Sequence, residues 1–220
     1  MAQGVTGLGF SLVCAPILIA VLGPREGVRT ALVLSTFLNV ALLLRTHRQV
    51  LVREGSLLLV PSVAATPLLA WGSRHVDGRL LTLVAGGLTI VSAAALLAGL
   101  RWERGRAPVA GVAAGVTSAA MNVIGSIGGP ALALYSVNAG WPPDRARPTL
   151  QVVFLVSNLV AILSLGLPRF DGTWWGLLGA LAVGLALGLA LARRVPGSAA
   201  RIATLGVAAA GGIVAISRAW

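Results

Sequence analysis

The chain has 220 residues, of which 57% are hydrophobic and only 10% charged, with a formal net charge of +11. Soluble domains carry roughly 25% charged residues and need that polar surface to cover their cores, so this composition excludes a water-soluble fold. All 17 basic residues are arginine, and with the six acids they form short clusters between long charge-free runs, which places the basic charge at span ends and excludes a nucleic-acid-binding surface.

From the N-terminus, the charge-free intervals are 1–24, 30–44, 55–73, 80–100, 107–143, 148–168, 172–192 and 202–217. Most approach the ~20 residues that cross a ~30 Å hydrocarbon core as an α-helix. Strands of a membrane barrel would be shorter and would alternate apolar with polar residues, which these do not. The expected fold is all-α: a polytopic membrane protein of seven to eight hydrophobic segments.

The first interval lacks a basic lead and a convincing cleavage site, so it reads as a retained segment. It contains Ala15-Pro16, a candidate helix break. The lone Cys14 excludes an intramolecular disulfide framework. Asn39 sits in the second interval, and Gln151, Ser157 and Asn158 in the sixth. Buried amides are costly in lipid unless partnered, so Asn39 and Asn158 either bond across helices or line a pathway. Trp71, Trp102, Trp174 and Trp175 read as interfacial anchors, and Gly184 and Gly188 as packing residues.

Interval 107–143 is the most informative. As one helix its 37 residues would run ~55 Å, beyond the hydrocarbon core, yet it is too short for two full spans and a turn. Gly125-Ser126-Ile127-Gly128-Gly129-Pro130 interrupts it, with Pro removing a backbone donor and Gly weakening the helix. A broken helix or re-entrant hairpin satisfies both facts, provided protein or a wet cavity surrounds the irregular backbone.

The two halves resemble each other. Gly4-Val5-Thr6 recurs as Gly115-Val116-Thr117, and Pro24 through Asn39 parallels Pro143 through Asn158, with Thr30 matching Thr149. The offset grows from 111 to 119 residues. This divides one membrane domain into two homologous repeats, 1–102 and 103–220, each opening on a broken or re-entrant first helix. Duplicated membrane proteins are commonly transporters with the site between repeats.

The arginines distinguish two topologies. If every interval spans once, Arg45, Arg48, Arg53, Arg101, Arg104, Arg106, Arg169 and Arg218 share one side, an even division. If 1–24 and 107–143 are re-entrant, Arg169 and Arg218 leave that side, and Arg145, Arg147, Arg193, Arg194 and Arg201 join it. The re-entrant arrangement concentrates arginine on one side, makes the repeats inverted and puts both termini outside the cytoplasm.

No acid lies inside an interval: Glu26, Glu54, Asp77, Glu103, Asp144 and Asp171 all stand at edges or in loops, as do His47 and His75. A mid-membrane proton relay, an intramembrane Ser–His dyad and a transition-metal site are thereby excluded, and neither a catalytic residue nor a cofactor is expected. The remaining chemistry suits an anion. A half-helix N-terminus after Gly125 would present free N–H groups and a positive dipole end, with Asn122 and Ser126 beside it. The same glycines would also serve close helix packing. Arg29, Arg145 and Arg147 would attract an anion or anchor their helices at the interface.

At these residues the chain resembles the TauE/SafE family, the sulfite and organosulfonate exporter group of bacterial membrane transporters. The run Gly7-Leu8-Gly9-Phe10-Ser11-Leu12-Val13-Cys14-Ala15-Pro16, followed by Leu22-Gly23-Pro24-Arg25-Glu26, is similar to that family's first-repeat signature. Gly128-Gly129-Pro130-Ala131-Leu132-Ala133-Leu134-Tyr135 is similar to its Gly-Gly-Pro-Pro-x-x-x-Tyr signature, with Ala131 in place of the second Pro. Arg145 and Arg147 fall where the family carries basic residues. The resemblance implies export of a sulfur-containing anion such as sulfite across the cytoplasmic (inner) membrane by a multi-pass protein. The expected partners are that small anion and the lipid bilayer. The expected substrate-binding set is Asn122, Ser126, Gly128, Gly129 and Pro130 at the break, Pro16 at its first-half counterpart, and Asn39, Gln151 and Asn158 within spans. The alternative is a non-transporting membrane scaffold or partner subunit. A membrane enzyme would have to join Asp144 with His75.

Overall fold

A computed structural model describes residues 8–46, 49–100, 107–191 and 197–218. Among them are nine helices and no strand: α1 (Leu8–Leu22), α2 (Pro24–Thr46), α3 (Val52–Ser73), α4 (Gly78–Ala98), α5 (Pro108–Gly125), α6 (Gly129–Asn138), α7 (Pro143–Leu165), α8 (Thr173–Leu191) and α9 (Gly197–Ser217). Five stretches among these residues are long and apolar enough to cross a membrane: Pro24–Leu44, Val52–Ser73, Gly78–Ala98, Pro108–Gly125 and Pro143–Leu165. Phe10–Leu22, Thr173–Ala186 and Ile202–Ser217 are apolar but shorter. The fold is an all-helical, multi-pass membrane architecture, and interval 107–143 supplies two helices rather than one span.

Local chemistry sets the helix ends. The Asp77 carboxylate accepts the Arg79 N–H at 2.8 Å and the Leu80 N–H at 3.4 Å, capping α4 at its start. Gly99 closes the same helix in the left-handed region, φ 59°. Between α1 and α2 the approach is too close for a side chain at Gly27, where a Cβ would stand 2.6 Å from the Ile19 backbone.

Contacts between helices trace the path of the chain. Arg25 donates to the carbonyls of Arg74 (3.0 Å) and Val76 (3.4 Å), Arg74 donates to the Ser164 carbonyl, and Glu26 accepts the Arg169 N–H. Arg218 donates to the Ala20 carbonyl at 3.1 Å. These contacts gather residues 20–29, 73–79, 164–169 and 218 at one pole of the bundle, the loop-75 pole. At the opposite, loop-100 pole, the Leu51 N–H donates to Thr149 Oγ1 at 2.8 Å and Asn138 donates to the Leu100 carbonyl at 3.1 Å. Helices α2 and α4 run from the loop-75 pole to the loop-100 pole, and α3 and α7 run the other way. Helix α9 opposes α4, with Gly86 beside Ile216 and Thr89 beside Gly212.

Arg25, Arg29, Arg74, Arg79, Arg169 and Arg218 therefore share the loop-75 pole, while Arg53, Arg145 and Arg147 lie toward the other. This is the partition of the re-entrant arrangement, because single crossings would have separated Arg169 from Arg25. The core is built largely of small residues, with Ala15, Ala31, Ala93, Ala133 and Ala208 meeting around Leu12 and Ile127. Small side chains let helices approach closely where lipid offers no hydrophobic drive between them.

Candidate functional site

Helix α5 ends in a left-handed αL cap. The Ser126 N–H bonds the Asn122 carbonyl at 2.8 Å, and the Ile127 N–H bonds the Met121 carbonyl at 3.3 Å. The left-handed position, ordinarily glycine, is held by Ser126 with φ 54°, the one non-glycine residue with positive φ among the described residues. A side chain there costs roughly 1–2 kcal/mol.

The chain then reverses. Helix α6 lies back along α5, with Gly128 against Ser118 and Tyr135 against Gly111. Residues 107–143 thus form a re-entrant hairpin that enters and leaves at the loop-100 pole. Its closeness depends on glycine, since a Cβ at Gly128 would stand 2.6 Å from the Ser118 carbonyl oxygen. A Cβ at Gly115 would meet the Leu58 carbonyl oxygen of α3 at 2.5 Å. The packing role considered for these glycines therefore holds at Gly128.

At the tip of the hairpin, five helices and the turn border about 320 Å³ of atom-free space, part of it open to the outside. Its walls are Ser11 and Leu12 of α1, Asn39 of α2, Asn122 of α5, Ser126, Ile127 and Gly128 of the turn, Gly129 and Pro130 of α6, and Phe154 and Asn158 of α7. Among the described residues, no charged side chain lines it. Asn122 Nδ2 donates to Asn158 Oδ1 at 3.0 Å, and the hydroxyls of Ser11 and Ser35 share a hydrogen bond of 3.0 Å. The Ser126 Oγ is buried with no hydrogen-bond partner. An orphaned buried hydroxyl costs about 1–3 kcal/mol. Helix α6 begins in this wall, so its first-turn N–H groups and positive dipole end lie at the cavity. Asn39 and Asn158 occupy matching places, each fifteen residues past the proline that opens a 23-residue helix.

Seven of the nine residues expected from the sequence meet in this cavity: Asn39, Asn122, Ser126, Gly128, Gly129, Pro130 and Asn158. Pro16 does not. Helix α1 runs through it unbroken, and its ring packs on Gly211 of α9, so the break expected at Ala15-Pro16 is absent. Gln151 also lies outside the lining. It is buried on α7 with its Oε1 unpartnered, one turn from Arg147, whose buried Nε is unpartnered as well. Arg147, Gln151 and Asn158 share one helical face with the apolar Phe154, from the loop-100 pole to the cavity.

Ser11, Leu12, Ile127 and Phe154 also line the cavity, though none stands out in the sequence by charge or by a buried amide. Ser11 carries a signal all the same: it precedes Asn122 by 111 residues, the offset that relates Gly4 to Gly115.

Other expectations resolve differently. Trp71 and Trp175 are exposed, as interfacial anchors would be, but Trp174 is buried against Val33 and Leu34 and donates to the Arg169 carbonyl at 2.7 Å. A Cβ added at Gly184 would find nothing within 4 Å, so this glycine mediates no close packing among the described residues. Its helix, α8, leans on α2 chiefly near Trp174 and leaves that stretch uncovered. His75 bonds the Trp71 carbonyl through Nδ1 at 3.0 Å and packs on the Trp71 ring, at the pole opposite Asp144, so the two cannot cooperate. His47, Trp102 and the Gly4-Val5-Thr6 motif lie outside the described residues, as do the surroundings of Gly188.

A family model described as sulfite exporter TauE/SafE matches residues 1–215, nearly the whole chain. The chain belongs to the sulfite exporter TauE/SafE family. TauE/SafE proteins are membrane transporters and not enzymes. No curated protein and no solved structure matches the chain.

Proposed function

We propose that this protein exports a small sulfur-containing anion, such as sulfite or an organosulfonate, by alternating access, and binds it in the cavity at the hairpin tip. The observation that carries this reading is a cavity with no carboxylate among its described lining residues, an unpartnered Ser126 hydroxyl and a helix N-terminus at its edge. Hydrogen-bond donors without a competing negative charge select for an oxyanion. Ser126, the amides of Asn39, Asn122 and Asn158, and the backbone at Gly128 and Gly129 contact the substrate, while Pro130 fixes the start of α6. Gln151 and Arg147 act earlier, on the path from the loop-100 pole.

The chain divides into two inverted repeats, 1–102 and 103–220. The opposed directions of α2 and α7, and the matched places of Asn39 and Asn158 on them, support this division. By sequence, Arg45, Arg48, Arg101, Arg104, Arg106, Arg193, Arg194 and Arg201 share the side of Arg53, Arg145 and Arg147 in the re-entrant arrangement, and this excess supports a cytoplasmic loop-100 pole in an inner-membrane protein. Substrate then enters beside Arg147 and leaves at the loop-75 pole, and a negative interior drives the anion outward by about 2.3 kcal/mol per charge per 100 mV.

The test is uptake of labelled sulfite and a small sulfonate panel into proteoliposomes, with and without an imposed potential. Flux that follows the potential is the expected result. Absence of flux for every anion, with the protein demonstrably folded, would instead support a scaffold role in which the Asn122–Asn158 bond is structural glue.

A further inference from the structure

A second cavity lies behind the hairpin tip, at the loop-75 pole. It is bounded by Arg25, Arg29 and Arg74, with Val123 and Ile124 of α5 forming its inner wall, and it holds about 390 Å³ of atom-free space. The same final turn of α5 presents Asn122 to the first cavity and Val123 and Ile124 to the second. The partition between the two spaces is therefore a single helical turn.

The charge of this second cavity is largely uncompensated. Arg25 donates to the carbonyl oxygens of Arg74 and Val76, and Arg74 donates to that of Ser164. Bonds to neutral carbonyls orient a guanidinium without cancelling its charge. Arg29 faces one carboxylate, Glu26, at 3.8 Å, and that carboxylate also accepts the Arg169 N–H. Three guanidinium groups against one shared carboxylate leave the cavity net positive. Planar guanidinium groups suit polyatomic oxyanions.

We propose that this cavity is a second anion-binding site, taking a small sulfonate or sulfite-like oxyanion on its way out. Its role in release rests on the transport reading above, but binding there does not. A sulfonate and a phospholipid headgroup present similar oxygens to arginine. The free small anion is favoured because the inner wall, Val123 and Ile124, adjoins the central cavity.

The experiment places a cysteine at Ser73, in the lining of the second cavity, within a Cys14→Ser background. Modification is timed with thiosulfonate reagents of opposite charge, in nanodiscs of zwitterionic lipid and again with anionic lipid added. The anionic reagent reacts faster in zwitterionic discs, and Arg25→Gln with Arg29→Gln lowers its advantage roughly tenfold. Methanesulfonate slows the reaction in zwitterionic discs, and Arg29→Gln abolishes that protection. If the anionic reagent has no advantage, or only anionic lipid protects, the free-anion site is wrong. An Arg29→Lys variant retains protection when charge suffices, and a thermal melt confirms that each variant folds. Because no flux is measured, failure here leaves the transport reading standing, and failure of transport leaves this site standing.

Discussion

Helix α1 and the α5–α6 hairpin open the two halves of the chain, and each carries a proline, Pro16 and Pro130. One stays a single helix and the other folds back on itself. Proline alone does not decide between these outcomes. Within α1 the ring of Pro16 finds a glycine, Gly211, to pack against, and the helix continues. In the hairpin, a left-handed cap at Ser126 first stops α5, and Pro130 then sits in the first turn of α6, where no N–H is missed. Gly111 and Gly128 supply the closeness that holds the returning helix down, and Gly115 lets α5 approach α3. The described buried polar atoms without partners, on Ser126, Arg147 and Gln151, all belong to the second half. The first half lends the cavity two apolar or hydroxyl neighbours and one amide, and the hairpin lends it the unpartnered donor.

That contrast can be broken most forcefully at Gly128. Gly128→Val drives a side chain into the Ser118 carbonyl and is expected to destabilise the fold by about 3 kcal/mol, beyond the reach of small repacking, as read by a thermal melt in detergent. A melt unchanged from wild type would show that α6 does not need its contact with α5. Next in size is Asn158→Asp, which keeps the shape of the side chain but sets a negative charge in the cavity. Like charges cost several kcal/mol, so anion flux should fall about a hundredfold while the protein stays folded. Equal flux would remove Asn158 from the pathway. Asn39→Asp is the companion that shows whether the two halves contribute alike. The smallest effect belongs to Pro16→Ala. It restores an N–H within a continuous helix, so stability should hold or rise by up to about 3 kcal/mol, and flux should change less than twofold. A large loss of flux would return Pro16 to the site.

Much of this arrangement is legible in the residues, and the reasons for the gaps are physical. Charge-free intervals mark helices because lipid tolerates no unpaired charge, so the helices and the break at 125–130 can be read directly. Asn39, Asn122 and Asn158 stand out because an amide in an apolar span is costly and must be explained. Phe154 and Leu12 carry no such mark, since an apolar residue in an apolar helix looks the same whether it faces lipid, core or cavity. Pro16 falls outside the site because its fate depends on Gly211, nearly two hundred residues away. Trp174 departs from the anchor role because burial of an indole depends on the partner helix, while its position near a span end does not change.

The central claim, that the hairpin tip holds a hydroxyl kept for a ligand at some cost to the fold, is tested most directly at Ser126. Ser126→Gly removes both the side chain and the strain of a left-handed serine. Melting temperature and potential-driven sulfite flux should be measured for the variant and the wild type in the same proteoliposome preparation. The account predicts a protein at least as stable, with flux lowered roughly tenfold by the loss of one hydrogen bond to a charged ligand. Undiminished flux from the stabilised variant would contradict it.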